Sequence, residues 1–88
     1  MPTISMFYGI IVRMYFAPNE HPPPHFHAYY GEHKGVVDIQ TGEVVQGGLP
    51  RRQVRLVQAW TELHQDELMA DWQLVMNGEK PFSIQPLV

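Results

Sequence analysis

The sequence predicts an α+β fold: a four-stranded antiparallel β-meander followed by two C-terminal α-helices packed on one face of the sheet. Three observations carry that prediction. Apolar residues alternate with period two in the first half, the run Gly47, Gly48, Leu49 and Pro50 interrupts the chain, and apolar residues then recur at three- and four-residue intervals. The 88 residues suit a single domain, 1–88. A chain of this size holds one core and buries only about 60% of the surface it exposes when unfolded, a margin compatible with self-association.

In strand one, read as Tyr8 to Phe16, Ile10, Val12, Met14 and Phe16 alternate with Gly9, Ile11, Arg13 and Tyr15. Ala17 to Pro24 contains Pro18, Pro22, Pro23 and Pro24. Their locked φ and missing N–H donors exclude a central strand or a helix and leave a stiff loop, expected to be ordered and to hold His21 beside His25 and His27. His25 to Tyr30 is rich in aromatic residues, Gly31 and Gly35 bracket a turn, and Val36 to Gln40 completes a second hairpin. Thr41-Gly42 turns the chain into a short fourth strand, Glu43 to Gln46.

Pro50 suits a first helical turn, where a missing N–H costs nothing. Val54, Leu56, Val57, Trp60 and Leu63 then define an amphipathic helix over Arg51 to His64. Leu68, Met69, Trp72, Val75 and Met76 form a second stripe whose register has slipped, and Asp66 and Glu67 favour a new helix N-terminus. Two helices are expected, with a single kinked helix as the alternative. Asn77-Gly78 supplies the stop, and Lys80 to Val88 reads as an extended tail.

Composition narrows the chemistry. The chain has no cysteine, which excludes disulfides, thiolate catalysis and Cys₂His₂ zinc sites and fits a reducing cytoplasm, the expected location. Six Lys and Arg against nine Asp and Glu give a net charge of -3, so nucleic acid could be met only by a local basic patch. The apolar stretch Ile4 to Phe16 is broken by Arg13, is too short to span a bilayer and lacks the features of a signal peptide, so no membrane role is expected.

Several motifs together resemble a known family. They are Pro2-Thr3-Ile4, the strand Gly9 to Phe16, the core Pro23-Pro24-His25-Phe26-His27, the turn Thr41-Gly42-Glu43-Val44, Leu49-Pro50-Arg51-Arg52, Trp60, Leu63-His64, Trp72 and Asn77-Gly78. The set is similar, over nearly the whole chain, to a family of small bacterial proteins known as domain of unknown function 4160. Members of that family often carry Asp and Asn where this chain has Glu20 and Pro22. The resemblance implies a small cytoplasmic protein often encoded beside another small uncharacterised domain, an arrangement similar to toxin–antitoxin pairs. It implies no particular reaction.

On a strand, residues two apart share a face. His25, His27 and Tyr29 therefore point one way, and Phe26, Ala28 and Tyr30 the other. Sorted alike, the face opposite the apolar one gathers Arg13, Tyr15, His25, His27, Tyr29, Asp38 and Gln40. Thr, Lys and Glu would serve a merely solvated face as well. Two histidines at i and i+2, beside an arginine, a carboxylate and a proline-stiffened loop, point instead to a site.

Two chemistries fit that site. His25 and His27 offer imidazoles to a divalent transition metal, with a third ligand from His21, Glu20 or Asp38 and a position left open for water. Without a metal, one histidine can act as base and the other as acid on a phosphodiester, with Arg13 stabilising developing charge. Tyr15 and Tyr29 would then stack an unpaired base, with Asp38 as a further ligand contact, as in a small ribonuclease. Separately, Arg51, Arg52 and Arg55 crowd a helix N-terminus whose partial charge favours an anion, which marks them as a candidate anion site for RNA or an acidic partner. Pairing with Glu43 or the C-terminal carboxylate is the alternative for these arginines.

The other conspicuous residues read as structural. His64 suits a helix cap, His33 an exposed turn, and Trp60 and Trp72 packing anchors. Pro2 invites comparison with enzymes that use an N-terminal proline amine, but those folds follow their first strand with a helix. The expected function is a regulatory or toxin–antitoxin-type module whose His-x-His face binds a small ligand, metal or phosphodiester. The alternative is a non-catalytic interaction module that pairs with another small bacterial protein.

Overall fold

A computed structural model describes residues 2–88. The sheet has five strands rather than four: β1 (Thr3–Phe7), β2 (Ile10–Arg13), β3 (His25–Tyr30), β4 (His33–Asp38) and β5 (Val44–Gly48). They lie side by side in chain order, and each neighbouring pair is antiparallel. Helices α1 (Arg51–Leu63) and α2 (Gln65–Met76) follow, so the two-helix reading holds over the single kinked helix.

The expected first strand, Tyr8 to Phe16, is corrected at both ends, and β2 stops at Arg13. Tyr8 and Gly9 have φ of 49° and 79° and form a turn, which pairs Phe7 with Ile10 and makes Thr3–Phe7 a separate edge strand. Two successive left-handed residues match the twist of a tight hairpin. Within β1 a register shift between Thr3 and Ser5 leaves Ile4 and Ser5 both buried, which removes the alternation that would have announced a strand.

Elsewhere the period-two pattern sorts the faces as expected. Ile10, Val12, Met14, Phe26, Ala28, Val37 and Ile39 are buried, and with Val57, Trp60, Leu68, Trp72 and Val75 of the helices they form one core. Trp60 sits at its centre, 5.1 Å from the Phe7 ring and 5.7 Å from that of Phe26, and its Nε1–H donates to the Gln85 carbonyl at 2.8 Å. That bond belongs to a docked tail. The Ile84 N–H donates to the Ile4 carbonyl at 2.7 Å, the Phe82 N–H donates to Asp71 Oδ1 at 2.9 Å, and Ile84 is buried.

His64 joins the helices, with its backbone N–H on the Trp60 and Thr61 carbonyls and its Nδ1 2.6 Å from Glu67 Oε1. In β5, Gly47 has φ +72°, and a Cβ there would overlap the Lys34 carbonyl oxygen across the β4–β5 ladder. Only glycine fits at that position. Among the described residues, no helix is long and apolar enough to cross a membrane.

Candidate functional site

The proline-containing loop turns back over the exposed sheet face. Its ends are pinned by backbone bonds, Ala17 N–H to the Val75 carbonyl at 3.2 Å and Ile39 N–H to the Pro24 carbonyl at 3.1 Å. Between these anchors, Glu20 reaches the strand that carries His25 and His27. Its Oε2 lies 2.7 Å from His25 Nε2 and its Oε1 lies 2.7 Å from His27 Nε2, all three side chains being partly buried.

His25 is held at both ends. Its Nδ1 lies 2.8 Å from the Pro23 carbonyl oxygen, which can only accept, so Nδ1 carries the proton of that bond. In a neutral ring Nε2 is then the lone-pair nitrogen, and it faces a carboxylate oxygen at 2.7 Å. Two lone pairs do not approach that closely without a cation between them, so the contact is held by a shared proton. The His25 ring also stands 5.1 Å from that of Trp72, which fixes its orientation from the side of α2.

Glu20, His25 and His27 thus offer ligand atoms that all lie within 4.8 Å of one another. Two imidazoles and one carboxylate form a donor set for a divalent transition metal with positions left open. A Nδ1–H on a backbone carbonyl is also the outer bond that orients a metal-ligating histidine. The carboxylate takes the place for which the sequence puts forward His21, with Glu20 and Asp38 as the alternatives. His21 is exposed and lines the same concavity, and the three converging residues do not include it. Asp38 pairs with His25 in register, but its Oδ1 accepts from the Gln40 and Thr41 backbone N–H groups and so shapes the β4–β5 turn.

Around this cluster lie two adjoining cavities of about 440 and 380 Å³ that share Glu20, His27, Val36 and Gln46. The larger is walled by Tyr15 and Tyr29, whose hydroxyls hydrogen-bond to each other, and the Tyr15 ring meets that of His27 edge-on at 4.6 Å. Burial, then the bond to Tyr15, pushes the Tyr29 phenol up to about 12 despite the Arg13 charge, which works the other way. Arg13 stands opposite His27 across β2 and β3, yet its guanidinium lies 5.5 Å from the Tyr29 ring centroid and its Nε–H donates to Thr3 Oγ1 at 3.2 Å. The two histidines converge on a common point, and Arg13 does not join them.

Arg51, Arg52 and Arg55 are exposed on α1 and form no ion pair among the described residues; the helix has no acidic residue in its first turn. No curated protein and no solved structure matches the chain. A family model described as Domain of unknown function (DUF4160) matches residues 9–73, a span that contains Glu20, His25, His27 and both tyrosines, and the chain therefore belongs to that family.

Proposed function

We propose that the protein is a metal-binding module that takes a divalent transition metal on Glu20, His25 and His27. The shared-proton contact between His25 Nε2 and Glu20, with Nδ1 already committed to Pro23, carries this reading. A site that holds one cation between two donors can exchange that proton for a metal ion. Glu20 must then back away, because two ligand atoms of a tetrahedral shell stand about 3.3 Å apart at ordinary zinc bond lengths. A small change in the Glu20 side-chain torsions supplies that distance while the loop stays pinned at its ends. A regulatory or toxin–antitoxin-type role, with another small bacterial protein as partner, would use the metal as structural organiser or ligand anchor in the trough.

The metal-free acid–base reading draws less support. Glu20 occupies Nε2 of both histidines, and Arg13 commits its Nε to Thr3. A pure interaction module remains the rival, and metal titration separates the two. Calorimetry of the chelator-treated chain with zinc or cobalt is expected to show one site, weakened in mildly acidic buffer because ligating imidazoles must be neutral. Glu20→Gln is expected to weaken binding at least tenfold, and the double change His25→Ala with His27→Ala to abolish it. Unchanged affinity in a folded double variant, or no binding by the native chain, overturns the reading.

A further inference from the structure

Among the described residues, the trough beside the cluster holds a cation and a phenol proton that no acceptor of the chain takes. Glu20 gives one oxygen to each histidine, and Asp38 Oδ1 serves two backbone N–H groups. The two Glu20 oxygens and Asp38 Oδ1 are therefore engaged by the chain itself. Lys34 is the direct cross-strand partner of Tyr29, is exposed, lines the larger cavity and forms no ion pair among the described residues. The Tyr15 and Tyr29 hydroxyls share one hydrogen bond, which uses one of their two protons and leaves the other free to donate. Gln46 lines both cavities and adds an amide, and the Arg13 guanidinium beside Tyr29 adds positive charge behind the ring.

We propose that Lys34, the Tyr15–Tyr29 hydroxyl pair and Gln46 form a binding site for an oxyanion carried on a flat aromatic body. Lys34, the spare phenol proton and the Gln46 amide hold the oxyanion, and the tyrosine rings flank the body. The cavity of about 440 Å³ lies within the size range of small-molecule sites. The site adjoins the proposed metal centre through Glu20 and His27 but does not require it, since none of its donors is a metal ligand. An aromatic phosphate and an aromatic carboxylate share the recognised chemistry.

The test is calorimetric titration of the full chain, metal-free and zinc-loaded, with phenyl phosphate, benzoate and phenol. Saturable binding of phenyl phosphate or benzoate is expected, with phenol at least tenfold weaker, and the better of the two anions identifies the oxyanion. Lys34→Met, at an exposed strand position, is expected to weaken that binding at least tenfold while leaving the circular dichroism spectrum and zinc affinity unchanged. Absence of saturable anion binding in both forms, or equal binding by Lys34→Met, overturns the proposal. A chain that binds zinc but neither anion overturns this proposal and leaves the metal reading standing. A chain that binds phenyl phosphate through Lys34 but no zinc does the reverse.

Discussion

Replacing Gly47 with alanine is expected to cost about 2–3 kcal/mol, the sum of a left-handed backbone imposed on an L-residue and of at least one weakened ladder hydrogen bond. The structure supplies both contributions. The φ of +72° lies where a side chain is strained whatever the space, and the added Cβ would stand well inside 3.0 Å of the Lys34 carbonyl oxygen and 3.3 Å from Gly35 Cα. Because those neighbours are backbone, no rotamer change relieves the overlap, and β5 has to back away from β4. A domain of this length has roughly 4–13 kcal/mol of total stability, so the loss should lower Tm by roughly 10–20 °C. Thermal unfolding followed by circular dichroism reads this directly. Gly48→Ala is the internal control, since a Cβ at Gly48 meets no atom within 4 Å and its φ lies outside the left-handed region, and its expected effect is within about 0.5 kcal/mol. A Gly47→Ala variant no less stable than Gly48→Ala would refute the reasoning.

Asp71 is buried with Oδ1 on the Phe82 N–H and Oδ2 unpartnered, and burial, partly offset by that bond, holds its carboxyl above the usual range. A raised folded-state pKa means that the charged form penalises folding above that pKa and the penalty fades as pH falls through it, so Asp71→Asn should raise Tm at pH 7 and lose that advantage in acid; a lower Tm at pH 7 would contradict this. Arg52→Gln with Arg55→Gln should leave Tm unchanged or slightly raised, because neither arginine forms an ion pair among the described residues and both face a helix N-terminus; a loss of several kcal/mol in urea unfolding would show that they serve the fold. Trp60→Phe removes the donor to the Gln85 carbonyl and should cost about 1–2 kcal/mol while speeding proteolysis of the tail; an unchanged cleavage rate would mean that Ile84 and the bond between Phe82 and Asp71 hold the tail down without Trp60.

The faces of β2, β3 and β4 could be read from sequence because each strand is buried on one side only, and the alternation survives in Val12, Phe26, Ala28 and Val37. β1 could not, for two local reasons. Its bulge places Ile4 and Ser5 both inside, and its hairpin turns on Tyr8-Gly9, where left-handed φ at a tyrosine replaces the usual asparagine or aspartate. The histidine pair was visible as a spacing, since i and i+2 on a strand guarantee a common face. Its third partner was not. Glu20, His21 and Asp38 are equally suitable by residue type, and the choice among them is made by the path of the loop between Ala17 and Pro24, which prolines stiffen without specifying where it lands. The placement of Lys34 beside Tyr29 depends likewise on cross-strand register, which a sequence pattern leaves free.

The Ile84 N–H bond to the Ile4 carbonyl has a further consequence for how copies of this chain treat one another. β1 is an edge strand, and an edge with free carbonyl and amide groups is a template for another chain. The docked tail occupies one of those carbonyls and presses Ile84 into the core beside it, while Met6 on the same strand stays 63% exposed. Lifting residues 82 to 85 would break their bonds to Ile4, Trp60 and Asp71, bonds that belong to no strand ladder or helix, and would free the Ile4 carbonyl at that edge. The hold of Ile4, Trp60 and Asp71 on a few tail residues therefore guards this margin of the sheet against strand-by-strand association.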